Sequence, residues 1–308
     1  RTGGGEMIQV KRYDHISMAV PALDPQIDLL ERLFGFRLAN KFDSDEGYFG
    51  ANIEIPGRSG LQWELIAPRG EDSYLHRFLA GPTGPGLHHM ALQIESAPQA
   101  AEVIRADGAE PWGFREPEGD GDDDGRGMVY LHPRSGGRGY LWQMYAGDPW
   151  HVAEPYEDDR ADTLGIIAVN HLAHATHDRD ELAGWYERMF GCRTVYVSPG
   201  DGLGAGFRTR VLEAATGQVR FEMIEPAGDA SFIAKYLDQR GEGMHHITFE
   251  VGDWERALAA CRTHDVPTFG ERAGVREGAR WSEAFIHPKH TGGMLTQFFW
   301  QERPGIWI

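Results

Sequence analysis

Two phrases, "GLHHMALQI" at 86–94 and "GMHHITFEV" at 243–251, place a histidine pair at the start of a largely apolar run. Each run reads as a buried strand. An imidazole on the inward face of such a strand must be hydrogen-bonded, catalytic or bound to metal. Strand alternation sends His89 and His246 to one face and His88 and His245 to the other, where hydrogen bonding at the strand edge is their expected role. The same inward register holds His15 in "YDHISMAV" (13–20) and His171 in "VNHLAHAT" (169–176), with His174 facing away. Glu64 in "GLQWELIAP" (60–68) and Glu222 in "QVRFEMIEP" (218–226) lie late in their strands. Gln143 in "GYLWQMY" (139–145) and Gln297 in "MLTQFFW" (294–300) share that register.

A lone strand histidine is ordinarily a satisfied core or edge residue, and a lone glutamate between Trp63 and Leu65 an ordinary surface position. Their combination points elsewhere. Burying a carboxylate without a partner costs on the order of several kcal/mol, whereas a divalent cation satisfies it together with two neutral imidazoles. Nitrogen and oxygen donors without thiolate suit Zn, Ni, Co, Mn or Fe(II). The expected ligand sets are His15, Glu64, His89 and Gln143 in one half, and His171, Glu222, His246 and Gln297 in the other. Tyr145, Arg220, Thr248 and Phe299 share the ligand face and are expected to line a site for a small polar substrate with one apolar wall. For Arg220 and Thr248, ordinary strand solvation is the plainer account.

The elements that must position these residues repeat. Each phrase of the first half returns about 155 residues later, so the halves read as copies with small loop changes. Each half divides again. The first quarter reads strand (13–20), helix (about 25–34, with Ile27, Leu30 and Phe34 at helical spacing and Gly35 as its stop), then three strands ending at "LQWELIA". Helices are also expected in "DELAGWYERMFG" (180–191, stopping at Gly191), "APQAAEVIRADGA" and "WERALAACRTHDV". The predicted fold class is α+β: four βαβββ modules forming two open, bowl-shaped mixed-sheet barrels. The expected layout is a leader over 1–12, one two-module domain over 13–153, a polar linker over 154–165 and a second two-module domain over 166–308.

Composition narrows the function. The chain has 308 residues and a formal charge of −17, which argues against nucleic acid and an anionic membrane surface as partners. No run approaches the roughly 18 apolar residues of a membrane span. Two cysteines cannot staple a chain of this size, so a reducing, cytoplasmic setting is expected. The opening "RTGGGEM" reads as a scar before Met7. The acidic run "EPEGDGDDDGRG" (116–127) reads as a solvated loop rather than a calcium site, lacking a closing bidentate glutamate.

The order strand-His, strand-Glu/Gln, "GxHH", then "HPK" followed by a glycine pair and a glutamine resembles the vicinal oxygen chelate superfamily from about Tyr13 onward. That superfamily includes glyoxalase I, methylmalonyl-CoA epimerase and extradiol dioxygenases. "FIAKYLDQRGEGMHHITFEV" (232–251) and "AFIHPKHTGGMLTQ" (284–297) are most similar to the epimerase branch. In that branch the last motif usually ends in Glu, where this chain has Gln143 and Gln297. The earlier strand position, often Gln there, is Glu64 and Glu222 here, which puts a two-base methylmalonyl-CoA mechanism in doubt. The resemblance implies a glyoxalase/dihydroxybiphenyl dioxygenase-like fold and a metal-dependent epimerase or isomerase. Such an enzyme removes a carbon-bound proton from a small hydroxy-ketone through a metal-stabilised enediolate, with Glu64 and Glu222 as catalytic proton shuttles. Tandem members include 2-epi-5-epi-valiolone epimerases, so a neutral cyclitol or sugar-like substrate is expected, in keeping with the acidic chain. Two alternatives stand beside it. One is an Fe(II) extradiol-type dioxygenase, although its carboxylate usually sits where this chain has Gln297. The other is a protein that sequesters antibiotics, a role in which relatives dispense with the metal set. A homodimer is compatible with either pairing of modules, within or between chains. The second half carries the cleaner run, with Lys289 and "HPKHTGG"; the first has insertions in its acidic loop and in "HPRSGGRGY".

Overall fold

A computed structural model describes residues 6–114, 126–199 and 206–307. Residues 1–5 of the expected leader and all but the last two residues of the acidic run at 116–127 lie outside the described residues. The first module runs β1 (Val10–Ala19), α1 (Leu23–Leu29) with a π turn at Leu30–Phe34, β2 (Arg37–Ser44), β3 (Tyr48–Glu54) and β4 (Gln62–Pro68). A short α2 (Leu75–Leu79) leads into the second: β5 (Gly86–Ile94), α3 (Ala97–Ala106), β6 (Gly127–Leu131) and β7 (Leu141–Ala146). The third comprises β8 (Ile166–Ala175), α4 (Arg179–Phe190), β9 (Arg193–Val197), β10 (Phe207–Glu213) and β11 (Arg220–Pro226). After α5 (Phe232–Arg240), the fourth has β12 (Gly243–Val251), α6 (Trp254–Thr263), β13 (Thr268–Arg276), β14 (Ala279–Ile286) and β15 (Thr296–Gln301). Among the described residues the second module shows two strands after its helix, with Trp112 making an isolated bridge to Tyr130.

Sequence chemistry explains the helix ends. Ser96, Asp178 and Asp253 cap α3, α4 and α6 by accepting from backbone N–H groups of the first turn. Gly35 and Gly191 end the first and fourth helices in the left-handed region, as their spacing predicts.

The strands form two mixed sheets, ordered β2-β3-β4-β1-β5-β7-β6 and β13-β14-β15-β12-β8-β11-β10-β9. In both, the first strands of two modules are neighbours, β1 beside β5 and β12 beside β8. Each is flanked by its own module's last strand. The link from β5 to β7 is parallel, as is that from β12 to β15, while the hairpins are antiparallel. The result is the expected architecture of four modules in two open, bowl-shaped sheets. The four central strands of each carry the predicted ligand positions in a row: Glu64, His15, His89, Gln143 and, in the other, Gln297, His246, His171, Glu222.

Two compact units are distinguishable. One contains the segments up to His15, His88–Val152 and Ala173–Met244. Its aromatic core centres on Trp142, against which Trp185, Tyr186, Phe190 and Phe221 pack at centroid distances of 4.9–6.1 Å. The other contains Ile16–Leu87, Ala153–Leu172 and His245–Ile308. There Phe34, Phe36, Trp63 and Phe249 meet edge to face or tilted. Residues of the predicted linker are tied down in this unit: Tyr156 donates to the carbonyls of Gly35 and Glu54, and Arg37 lies 3.6 Å over its ring.

Two turns explain one glycine in each motif. Gly139, at φ +81°, passes so close to Glu242 that an added Cβ would stand 1.8 Å from its carbonyl oxygen. Gly293, at φ +107°, passes Pro85 in the same way, at 1.9 Å. The last glycine of "HPRSGGRG" and of "HPKHTGG" thus serves a backbone crossing at the start of β12 and of β5, respectively.

Candidate metal centres

Side chains from neighbouring strands converge in each sheet. Ligand atoms of His15, Glu64 and His89 lie within 4.8 Å of one another, as do those of His171, Glu222 and His246. The two imidazoles of each group stand edge to face at 5.6 Å between centroids. His15, Glu64, His89, His171 and His246 are buried, while Glu222 is half-buried. Their outward neighbours Trp63, Leu65, Phe221 and Met223 are fully buried on the opposite face, which fixes the register that aims the glutamates inward.

The predicted glutamines reach the same places. Gln297 Oε1 lies 3.2 Å from His246 Nε2, and Gln143 hydrogen-bonds the His89 side chain. Gln143 Nε2 donates to Tyr130 Oη at 3.2 Å. Gln297 Nε2 instead faces Glu283 Oε2 at 3.3 Å. Glu283, on β14, is 2% exposed, accepts from Trp307 Nε1 at 2.5 Å and is paired with Arg272.

A regularity of β1, β5, β8 and β12 orients all four imidazoles. In each, the residue before the inward histidine meets its Nδ1: Asp14 at 2.8 Å from His15, and His88, Asn170 and His245 at 2.9 Å from His89, His171 and His246. Nε2 is therefore the nitrogen each ring offers to its group, and a held Nδ1 fixes ring orientation and tautomer. Burial lowers the His88 pKa to about 4 and holds His89 well below its usual range, with the adjacent imidazoles adding to the effect. Both stay neutral at physiological pH. Burial works to raise the Asp14 carboxyl, but His15, Tyr145 and Arg12 outweigh it and keep Asp14 ionised.

Two imidazoles beside one carboxylate, convergent and without thiolate, fit a divalent cation by the chemistry of the donor set. The geometry brings together His15, Glu64, His89 and Gln143, and His171, Glu222, His246 and Gln297. The four neighbouring positions are more varied. Thr248 is fully buried inside the second group, with its hydroxyl 2.9 Å from His171 Nε2 and donating to Gln297 Oε1 at 2.8 Å. The Tyr145 hydroxyl donates to Asp14 at 2.5 Å, and its ring stacks on Trp150 at 4.0 Å. Phe299 stacks on Trp307 at the same distance. Arg220 stands 3.5 Å from Glu213, on the neighbouring strand.

Sequence reasoning passed over Asp14, Glu283, Trp150 and Trp307. The indoles cover the first histidine of each group, at 5.8 Å for His15 and 5.6 Å for His171. Helices α2 and α5 were likewise unexpected. Ile233 and Leu237 of α5 pack on Ala173, Ala175 and Ile224, the inward positions beyond the second group. Leu75 of α2 packs on Ala19 and Ile66 beyond the first. A cavity of about 910 Å³ lined by Trp254, Trp281, Trp300 and Arg280 shares no residue with either group. Among the described residues, no helix is long and apolar enough to cross a membrane.

Comparison with known proteins follows the same repeat. The family model of the Glyoxalase/Bleomycin resistance protein/Dioxygenase superfamily matches residues 14–127 and again 170–285. Human mitochondrial methylmalonyl-CoA epimerase is 26% identical over 148 residues, 47% of this chain and 81% of its own. An ethylmalonyl-CoA/methylmalonyl-CoA epimerase from Cereibacter sphaeroides is 27% identical over 126 residues, 41% of this chain and 90% of its own. At full length the fold is similar to that of a mutant 4-hydroxymandelate synthase from Streptomyces coelicolor. That match has a TM-score of 0.70 and 13% identity, over 96% of this chain and 94% of the other.

Proposed function

Because the chain belongs to the glyoxalase/bleomycin resistance protein/dioxygenase superfamily, we propose that it is a divalent-metal-dependent epimerase or isomerase acting on a small hydroxy-ketone. One observation carries the proposal: two imidazoles and one carboxylate fall within 4.8 Å of one another in a chain whose relatives include epimerases.

His15, Glu64, His89 and Gln143, and their counterparts His171, Glu222, His246 and Gln297, are the residues that would hold the cation. When bound, it supplies Lewis-acid stabilisation of the negative charge that develops on a substrate carbonyl oxygen. The chain supplies the rest. The Glu64 or Glu222 carboxylate accepts the proton from the carbon next to the carbonyl and returns a proton to that carbon. Asp14, His88, Asn170 and His245 hold the rings in orientation. The stacked pairs Tyr145–Trp150 and Phe299–Trp307 offer flat apolar walls beside the histidines, to which the C–H face of a sugar-like or cyclitol ring is suited. The charge of −17 favours an uncharged polyol such as 2-epi-5-epi-valiolone over an anionic thioester.

The test is deuterium wash-in from D2O at the carbon adjacent to the carbonyl of a cyclitol ketone, with Zn, Mn, Ni or Co supplied. Exchange that depends on the metal and disappears in the Glu64→Gln, Glu222→Gln double variant supports the reading; its absence across hydroxy-ketones overturns it. Two imidazoles with one carboxylate are also the donor set of non-haem Fe(II) oxygenases. Oxygen uptake with a catechol under Fe(II) alone would select that second reading.

A further inference from the structure

We infer that Ser17 is a specificity-determining residue of the first group: its hydroxyl receives a further hydroxyl of the substrate, beyond the two oxygens that define a hydroxy-ketone. This rests on the hydroxy-ketone reading above and adds the feature by which the first group tells a polyol from a plain hydroxy-ketone.

Ser17 follows His15 by two residues on β1 and so shares its inward face, about 6.5 Å further along the strand. β4 lies beside β1, and the Val20 N–H donates to the Ile66 carbonyl at 2.9 Å. That bond repeats the one from Ile247 to Leu295 in the fourth module, where Thr248 is level with Gln297. Ser17 therefore stands level with Glu64, to which the proposal above gives the proton transfer. One step beyond, Ala19 and Ile66 are packed against Leu75 of α2, so the inward face continues as an apolar wall.

The Ser17 side chain is fully buried, and its Oγ has no hydrogen-bond partner among the described residues. A hydroxyl taken from water without a partner loses its hydration and gains nothing in return. A serine is therefore unfavourable here unless a bound molecule supplies the partner. The repeat shows what packing alone requires. The corresponding residue of the third module is Ala173, also fully buried, beneath Ile233 and Leu237. In the second module it is the fully buried Ala91. Thr248, in the fourth, engages its hydroxyl with His171 Nε2 at 2.9 Å and Gln297 Oε1 at 2.8 Å. Of these four positions, Ser17 alone presents a hydroxyl with both donor and acceptor unengaged. A substrate hydroxyl, itself donor and acceptor, matches it; a plain aliphatic ring does not.

The experiment is calorimetric titration of Zn2+-loaded full-length Glu222→Gln protein, in which the first group alone keeps its carboxylate, with pentahydroxycyclohexanone and with 2-hydroxycyclohexanone. Adding Ser17→Ala is expected to weaken the first ketone roughly 3–10-fold, the range for one neutral hydrogen bond, and to leave the second within about twofold. Thermal unfolding of Ser17→Ala should show no loss, because alanine fills the same place in the second and third modules. Equal weakening of both ketones, no weakening of either, no binding of the polyol to protein that keeps Ser17, or a clear fall in melting temperature overturns the inference. Deuterium wash-in on the same samples tests the reaction separately. Discrimination in binding without exchange removes the epimerase reading and leaves Ser17 as a polyol contact; exchange without discrimination removes the inference alone.

Discussion

Nδ1 of His245 lies 2.9 Å from Nδ1 of His246, and the same relation joins His88 to His89. In a pair of facing Nδ1 atoms one nitrogen must donate and the other accept. For the second imidazole to offer an Nε2 lone pair, its Nδ1 must carry the proton and the first imidazole must be neutral and accepting. Under the proposed function the doubled histidine is a ligand and its tautomer-setting neighbour.

His88→Ala and His245→Ala are therefore expected to weaken cation binding in their own halves by roughly 10–100-fold without abolishing it. His89→Ala and His246→Ala remove the donor itself. Equilibrium dialysis against Zn2+ distinguishes partial from complete loss, and equal effects of the two kinds of variant would refute the assigned roles.

His174 gives the chain a pH dependence independent of metal. It faces away from the second group, with Nε2 donating to the Arg138 carbonyl at 2.6 Å and Nδ1 accepting from the Tyr186 hydroxyl at 2.9 Å. Burial lowers its pKa to about 4, against an ordinary value near 6.5 in the unfolded chain. Between these values the unfolded state binds the additional proton, so stability falls as pH drops from about 6.5 towards 4 and changes no further below. The loss from this one group is about 3 kcal/mol. Urea unfolding at pH 7 and pH 5 should show it, and His174→Gln should flatten the slope in that window.

The two backbone crossings predict a sharp contrast among glycine replacements. Gly139→Ala and Gly293→Ala combine a left-handed φ with a Cβ placed under 2 Å from a carbonyl oxygen, and each should cost at least about 3 kcal/mol. Gly278 has φ +78° but no atom within 4 Å of an added Cβ, so Gly278→Ala should cost about 1–2 kcal/mol. Denaturant midpoints compare the three directly, and similar losses would show that φ alone governs them.

The inward residues of the sheets were legible because a strand has period two. Once His89 was placed on the inner face, His15, Glu64 and Gln143 followed from their own strands, and the repeat supplied the second set. Residues whose action depends on pairing register were not legible. Glu283 stands between Ser282 and Ala284 as an ordinary alternating position, and only the pairing of Phe285 with Gln297 brings it behind that amide. Asp14 precedes His15, and alternation assigns it to the wrong face, yet a short carboxylate reaches back to its neighbour's Nδ1. The signal was present in the sequence: a polar residue precedes the inward histidine in "YDH", "LHH", "VNH" and "MHH". Helix α5 was hidden because its buried residues, Ile233 and Leu237, form too narrow a stripe to stand out from a loop.

Glu283 would make a carboxylate costly at the end of the second half's motif. Gln297→Glu would set two buried carboxylates about as close as Gln297 Nε2 now lies to Glu283 Oε2, 3.3 Å, with Arg272 and Trp307 already engaged by Glu283. Without a cation, one of the two must take a proton or repel the other, a loss on the order of 3 kcal/mol at pH 7. Thermal unfolding of the chelator-treated variant should therefore show a clear decrease, and lowering the pH should narrow the gap to wild type. Adding Glu283→Gln should restore most of the loss, because the second variant turns the opposing acceptor into a neutral amide. A double-mutant cycle measures that coupling; if the two effects simply add, Glu283 is not what holds the amide in place.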